Sequence, residues 1–401
     1  MNSKLRSTLF FANTAVFMLA ANFAHAVTPT FFQGLGLGNY MFGVALATML
    51  AVNFCVSPFW GKLNDYTSSR FSLLIGSVGY GIGQLFFGLS KTEAHVIIAR
   101  GVTGIFTAGA FVSMMTYIVN TTKDEQKRGY NLAIYATIQS ICNAFGYLIG
   151  GLLGEVSIKL TFRAQYITLI CCGIAYYFIC EKDAKITEPG VKFSTILKKS
   201  NPFSAFAASK YFMNITLAML FAMVVFQNMG NTAFDQSFNY FLRDRFGFSS
   251  GYNGIIKGVM GIITLAVNST LTIWILNKTN VNKSIIKIFM GASVTMALAI
   301  VFSSNPIPYI IFNVFYFAFT AVTFPLLQNM VAKSATGENS NLVIGFYNAV
   351  KSLGSVIGAL LAGVLYNISD VYPFIFGFIV FVGACIVSWA HSKRVEQSEQ
   401  V

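Results

Sequence analysis

The sequence predicts an all-α integral membrane protein, with twelve transmembrane helices in two pseudo-symmetric six-helix bundles. Three observations lead there. Of 401 residues, 55% are hydrophobic and 10% charged, with a mean hydropathy of +0.64. Soluble domains carry roughly 25% charged residues, so most of this chain belongs in a solvent that does not hydrate ions. Apolar runs long enough to cross a bilayer, at roughly 20 residues each, recur twelve times, and one charged stretch divides them six and six. Such spans leave only short connections and no large soluble domain. With 14 acids and 3 His for the whole chain, catalytic clusters are scarce. No enzymatic activity, catalytic residue or cofactor is expected.

Apolar runs bounded by charge or turn residues place the spans at 8–32, 40–60, 71–90, 96–120, 130–154, 162–180, 211–240, 251–276, 284–303, 306–330, 340–366 and 371–391. The break between the sixth and seventh holds Lys182, Asp183, Lys185, Glu188, Pro189, Lys192, Lys198 and Lys199. The expected organisation is an N-terminal bundle over 1–180, a cytoplasmic linker over 181–210 and a C-terminal bundle over 211–401. An even count puts both termini on one side, and Lys and Arg collect in cytoplasmic loops. With the termini inside, 19 of the 27 basic residues lie on the inner side and five on the outer, while Arg100, Lys257 and Lys351 remain within spans. The termini are therefore expected in the cytoplasm, and the protein in the cell membrane. The net charge of +13 is mostly this topology and does not argue for nucleic acid, which needs a clustered basic face on a soluble domain.

The first span also fits a secretory signal, with Lys4 and Arg6, an apolar run from Leu9 to Ala21, and Ala24-His25-Ala26 as a cleavage site. Cleavage would break the six-plus-six symmetry and put the basic loops on the wrong side, so an uncleaved helix is expected. Cys55, Cys142, Cys171, Cys172, Cys180 and Cys385 fall within or at the ends of spans without metal-ligand spacing. They read as packing residues, and no metal site is expected.

Two halves of six spans suggest a duplicated transporter, whose corresponding helices should echo each other. The fifth span begins Asn131-Leu132-Ala133-Ile134 and carries Gly146 and Gly150; the eleventh begins Asn341-Leu342-Val343-Ile344 and carries Gly354 and Gly358. The loop after span 2 runs Gly61-Lys62-Leu63-Asn64-Asp65 and then Arg70, and its partner after span 8 has Asn277 roughly where Asp65 stands.

That first loop resembles the G-x-L-x-D-(x)n-R signature between helices 2 and 3 of the major facilitator superfamily. The resemblance implies a gate at Gly61, Asp65 and Arg70, where Asp65 pairs with basic groups and helix N-termini; a solvated turn is the plainer reading. Arg100-Gly101-Val102-Thr103-Gly104 resembles the R-x-x-x-G of span 4 in the superfamily's twelve-helix drug:proton antiporters. An Arg inside a span must be paired or hydrated, so Arg100 is expected to face the cavity, or else to snorkel outward to the headgroups. Gly146-Tyr147-Leu148-Ile149-Gly150-Gly151 resembles the antiporter G-P-x-x-G-G, with Tyr147 in place of the proline. The glycines still permit close helix packing, but the proline-dependent bend is lost. Export is thereby less firmly implied.

An ionisable residue within a span is a functional candidate by default. The complete set is His25, Arg100, Asp235, Lys257 and Lys351. Lys351 lies near mid-membrane and needs a partner or a wet cavity. Asp235 is the acid best placed inside a span, and a pair with Lys351 would serve as a coupling site, since separating the two would raise the pKa of the Asp and load a proton. Such a pair could equally fix helix register, or Asp235 could lie in an outer loop with Asp244. His25 titrates in the range of a proton shuttle or simply packs. The cavity is expected to be lined by Asn22, His25, Gln139, Asn143, Gln227, Asn228, Asn231, Lys257, Asn268, Gln328, Asn329 and Asn348, some of them interhelical glue instead. Most of the 40 Phe and 18 Tyr are expected to face lipid.

Gly79-Tyr80-Gly81-Ile82-Gly83 lies in an apolar helix, without the strand and acidic partner of a nucleotide site, and reads as close helix packing. No GKS/T loop occurs, so energy is expected from an ion gradient or from that of the solute. The reading is a secondary active transporter, with a lean to proton-coupled efflux of drug-like compounds or metabolites. Its partners are a small-molecule substrate, protons or another coupling ion, and the lipid bilayer, with no nucleic acid; a monomer is expected. The alternatives are a proton-coupled importer of a sugar or other polar nutrient, and a non-transporting receptor or partner-binding protein on the same scaffold.

Overall fold

The structure is a computed structural model that describes residues 3–183, 193–198, 200–334 and 340–399. Among them every regular element is helical, and twelve helices are long and apolar enough to cross a membrane. They are α1 (Lys4–Gly34), α2 (Met41–Tyr66), α3 (Ser69–Gly88), α4 (Glu93–Thr121), α5 (Gln126–Val156), α6 (Ile158–Ile179), α7 (Ile215–Phe246), α8 (Ser250–Lys278), α9 (Val281–Val301), α10 (Pro306–Ser334), α11 (Leu342–Ile368) and α12 (Tyr372–Gln397). Each coincides with an expected span. Of the expected linker over 181–210, Lys185, Glu188, Pro189, Lys192 and Lys199 lie outside the described residues; the remainder holds short helices at Phe193–Lys198 and Ser204–Ala208.

Helix starts follow the short polar side chains between spans, because the first backbone N–H groups of a helix need acceptors. Thr92 accepts from the His95 N–H, Asp124 from Lys127, Asn214 from Leu217 and Asn280 from Lys283. Gly247, at φ +68°, ends α7 in the left-handed conformation that favours glycine. Because α7 continues to Phe246, both Asp235 and Asp244 sit on a helix rather than in an outer loop. The first span is bent at Asn22, where the Asn22 and His25 N–H groups turn back to carbonyls only three residues earlier. Bonds of that type tighten a helix locally, and the Asn22 amide donates back to Met18 O at 2.8 Å.

Contacts divide the chain into two units. The first holds residues 1–37, 48–202 and 248–261; the second holds 38–47, 203–247 and 262–401. Helices α2 and α8 thus each contribute a segment to both. The core of the first unit is aromatic. Phe10, Phe17, Tyr80, Tyr117 and Tyr176 are all buried there, and the Tyr176 hydroxyl meets Thr14 Oγ1 at 2.9 Å. The second unit packs Phe234 against Tyr316 at 4.1 Å between centroids, the rings tilted by 43°, and stacks Phe241 on Tyr309 at 4.7 Å. Phe17, Phe87, Phe234, Phe238, Phe241, Phe289 and Phe381 are each fully buried between helices. Lipid tails are as apolar as any side chain, so helix association relies on interlocking shape, and the rings supply it.

Glycines set the closest helix contacts. A Cβ on Gly146 would lie 2.5 Å from Leu19 O, and Gly150 abuts the Phe23 backbone, so α5 lies directly on the bend in α1. In the second unit Gly354 would meet Val225 O at 2.7 Å and Gly358 abuts Met229, so α11 lies on α7 in the same way. The repeat seen in the sequence is a repeat of packing. Gly79, Gly81 and Gly83 likewise meet Phe106, Ile170 and Thr103 on neighbouring helices.

Candidate functional site

In the first unit three helices meet around Tyr147, the residue that replaces the motif proline. Gly146 and Gly150 bring α5 onto α1, while Gly254 of α8 lies so close that a Cβ there would be 2.9 Å from Tyr147 O. Glu155, near the end of α5, accepts the Gly251 N–H at 2.5 Å and so holds the first turn of α8. The ring of Tyr147 is left as a platform. His25 stacks on it at 5.5 Å with 19° between the planes, and the Lys257 ammonium lies 5.7 Å from its centroid. Lys257 is 7% exposed. One turn away Asn22 donates to Asn143 Oδ1 at 2.9 Å. Tyrosine faces attract cations electrostatically, so this ring compensates part of the desolvation of the ammonium. The arrangement offers one aromatic face and titratable groups from three helices, which suits recognition of a polar group on an otherwise apolar solute.

Arg100 of α4 is 5% exposed. Its guanidinium lies over the Phe87 ring at 3.7 Å, with Nη1 3.7 Å from Met49 Sδ. The side chain is thus enclosed between α2 and α3. Gln139 and Asn143 lie along α5, the first half-buried and the second exposed.

In the second unit Asp235 is half-buried and close enough to the Tyr316 hydroxyl to act on it electrostatically. Lys351 is exposed along α11, its ammonium 5.9 Å from the Phe324 ring. The expected Asp235–Lys351 pair does not form. Gly354 meets α7 at Val225 and Asn228, and Gly358 meets it at Met229; this register sets Lys351 roughly twelve residues short of the level of Asp235, an offset of about 18 Å at the helical rise. Both side chains of Gln227 and Asn228 are buried; the Asn228 amide donates to Val224 O, while Gln227 has both amide atoms without a hydrogen-bond partner among the described residues. Asn231 is half-buried; Gln328 and Asn348 are exposed. Asn268 opens a π-helical turn at Asn268–Thr272, where Thr272 Oγ1 donates to its Oδ1 at 3.1 Å. Irregularities of this kind often mark functional positions, and nothing in the local sequence announced it.

The expected loop after span 2 is largely helical: Gly61 and Asp65 lie in the last turns of α2 and Arg70 in the first turn of α3, leaving only Thr67 and Ser68 between them. Asp65 pairs with Lys62 at 3.0 Å, both side chains about half exposed, and Arg70 lies over Tyr177 at 4.0 Å. Gly61 has open space around it. The carboxylate at a helix N-terminus is instead that of Asp183, just beyond α6, which accepts the Ser69 N–H at 2.8 Å, the Ser68 hydroxyl at 2.7 Å and the Asn120 amide at 3.2 Å. Beside it Arg6 pairs with Glu181. Sequence reading placed Asp183 and Glu181 in the linker, where a charge among many lysines carries no sign of a partner on α1, α3 or α4.

The profile of the Major Facilitator Superfamily matches residues 9–320 and again 286–400. Multidrug resistance protein 2 of Bacillus subtilis (strain 168) is 22% identical across 96% of this chain and 95% of its own. Multidrug resistance protein 1 of the same organism is 25% identical across 96% and 97%. Among solved structures, a bacterial homolog of the human lysosomal transporter Spinster, inward-facing and unoccupied, covers 98% of each chain with a TM-score of 0.74 and 14% identity. At that identity the likeness speaks for the fold.

Proposed function

The chain belongs to the major facilitator superfamily, and from that premise we propose that it exports drug-like compounds or metabolites from the cytoplasm in exchange for protons. As a member of that family it is a multi-pass membrane protein and a secondary active transporter of a small molecule. Residues 1–180 rock against 211–401 to give alternating access, the protein works as a monomer in the cell membrane, and both termini are cytoplasmic, as the bias of Lys and Arg supports. The observation that carries export is the full-length similarity to two multidrug resistance proteins, in a chain that holds ionisable side chains inside its helices. The importer reading rests on an Asp235–Lys351 pair, which the register of α11 on α7 disfavours, and on Tyr147 in place of the motif proline.

In this scheme Asp235 carries the coupling proton and Arg100, His25 and Lys351 tune its exchange. Tyr147 and Lys257, with Asn22, Gln139, Asn143, Gln227, Asn228, Asn231 and Gln328, contact the solute, and Gly61, Asp65 and Arg70 form the gate. The test is proton release from energised inside-out vesicles, followed with a pH-quenched dye while cationic drugs, sugars and organic acids are added in turn. Export predicts that one class dissipates the gradient, that Asp235→Asn abolishes this while substrate counterflow persists, and that Tyr147→Leu raises the half-saturating concentration about tenfold, the 1.4 kcal/mol reach of a buried cation–π platform. A silent panel in the vesicles, with uptake of a labelled sugar by whole cells, would overturn it.

A further inference from the structure

A cavity of about 850 Å3 opens among the N-terminal end of α1, the C-terminal end of α4 and the start of α5, and no residue assigned above to coupling, gating or solute lines it. Its volume lies in the range that takes a drug-sized ligand. The charged groups around it are Lys4, Arg6, Lys123 and Lys127 against Asp124 and Glu181. Both acids are already engaged. Glu181 pairs with Arg6, and the Asp124 carboxylate accepts the Lys127 backbone N–H at 2.8 Å as the cap of α5. Lys123 and Lys127 are exposed, and neither forms an ion pair among the described residues. The floor is of opposite character. Phe10 and Tyr117 are buried with their rings 4.8 Å apart, Phe11 lies beside them, and Tyr130 stands 69% exposed at the rim.

We propose that this cavity binds an anionic amphiphile, its carboxylate or phosphate between Lys123 and Lys127 and its apolar body along Phe10, Phe11 and Tyr117. The complement of a basic rim over an aromatic floor is a molecule with one negative end, because an anion replaces the lost hydration of the ammonium groups while a cation would meet an excess of like charge. On the orientation proposed above, the cavity opens to the cytoplasm, the leaflet in which anionic lipids attract basic segments. As the loading site of an exported acid the assignment rests on the efflux reading; as a binding site it does not.

The test uses the full-length protein in phosphatidylcholine nanodiscs, with dansyl-undecanoic acid as the probe and its methyl ester as the neutral control. The acid is expected to bind saturably, the ester at least about tenfold more weakly, and added salt to weaken the acid alone. Lys123→Gln with Lys127→Gln is expected to lower affinity for the acid about tenfold, and Lys123→Arg with Lys127→Arg to retain it. Equal binding of acid and ester, or unchanged affinity in the Gln pair, overturns the assignment. Phosphatidylglycerol in the nanodisc separates two sources of the same chemistry: competition with the probe assigns the site to a lipid headgroup, and its absence to a free acid, and both support the cavity. Tight binding of the acid without acid-driven proton release in vesicles overturns efflux of that acid and leaves the cavity standing.

Discussion

Replacing Asp183 by Ala should destabilise the protein far more than replacing Asp65, although only Asp65 belongs to a recognisable motif. The Asp183 carboxylate accepts three hydrogen bonds, from the Ser69 N–H, the Ser68 hydroxyl and the Asn120 amide, and so joins the start of α3 to the end of α4. A hydrogen bond to a charged group contributes roughly 1.5–3 kcal/mol and a helix cap about 1 kcal/mol. The site is part-buried, so screening reduces the sum, and about 2 kcal/mol is expected for Asp183→Ala, close to a thirtyfold change in the folded ratio. Asp183→Asn keeps an acceptor and should lose about half of that. Asp65 meets only the Lys62 ammonium one helical turn away, with side chains 53% and 47% exposed; pairs of that kind are worth at most about 0.5 kcal/mol. The assay is unfolding of the purified protein by SDS in mixed micelles, comparing midpoints for the three variants. If Asp65→Ala shifts the midpoint as far as Asp183→Ala, the capping argument is wrong.

Two further outcomes follow from packing and burial. Gly150→Ala forces a Cβ onto the Phe23 backbone, which cannot yield, and is expected to lose about 2 kcal/mol or more by overpacking. Gly258→Ala first meets the Leu148 side chain at an ordinary 3.4 Å and should match or exceed the parent, since Ala favours a helix by about 0.5–1 kcal/mol; equal losses in the two would refute the close-approach reading. At Cys180, which follows α6, burial pushes the thiol up to about 12. Its thiolate is therefore absent at neutral pH and grows only as pH rises toward that value, so maleimide labelling of a variant retaining Cys180 alone is expected to be negligible at pH 7 and to climb steeply above about pH 10. Rapid labelling at pH 7 would contradict the burial.

Much of the site could be named from its residues, but not joined. His25, Tyr147 and Lys257 each stood out in sequence, the first as a titratable residue in a span, the second as a departure from a motif, the third as a buried charge. Their meeting depends on Gly150 and Gly254 allowing α1 and α8 to close on α5, a contact between residues over a hundred positions apart. Conversely, Asp235 and Lys351 looked like partners because both are rare charges within apolar spans. The packing of Gly354 and Gly358 sets their levels apart, and charge alone carries no information on axial register. Asp183 went unnoticed for the opposite reason: among lysines of a hydrophilic stretch it has nothing to distinguish it, and its function is created by the N-terminus of α3 arriving beside it.

Composition, hydropathy and the placement of Lys and Arg were enough for the twelve spans, the helical class and the expected sidedness. Each is dictated residue by residue, through the transfer of side chains and backbone between water and lipid. Which helices touch, at what height, and which polar groups share a space was decided only in three dimensions. In a bilayer every apolar helix is equally content against lipid, so partners are selected by the fit of glycine against backbone and ring against ring. That fit is a property of pairs of surfaces, and it is why the platform at Tyr147, the cap at Asp183 and the basic cavity above Phe10 appear only in the folded chain.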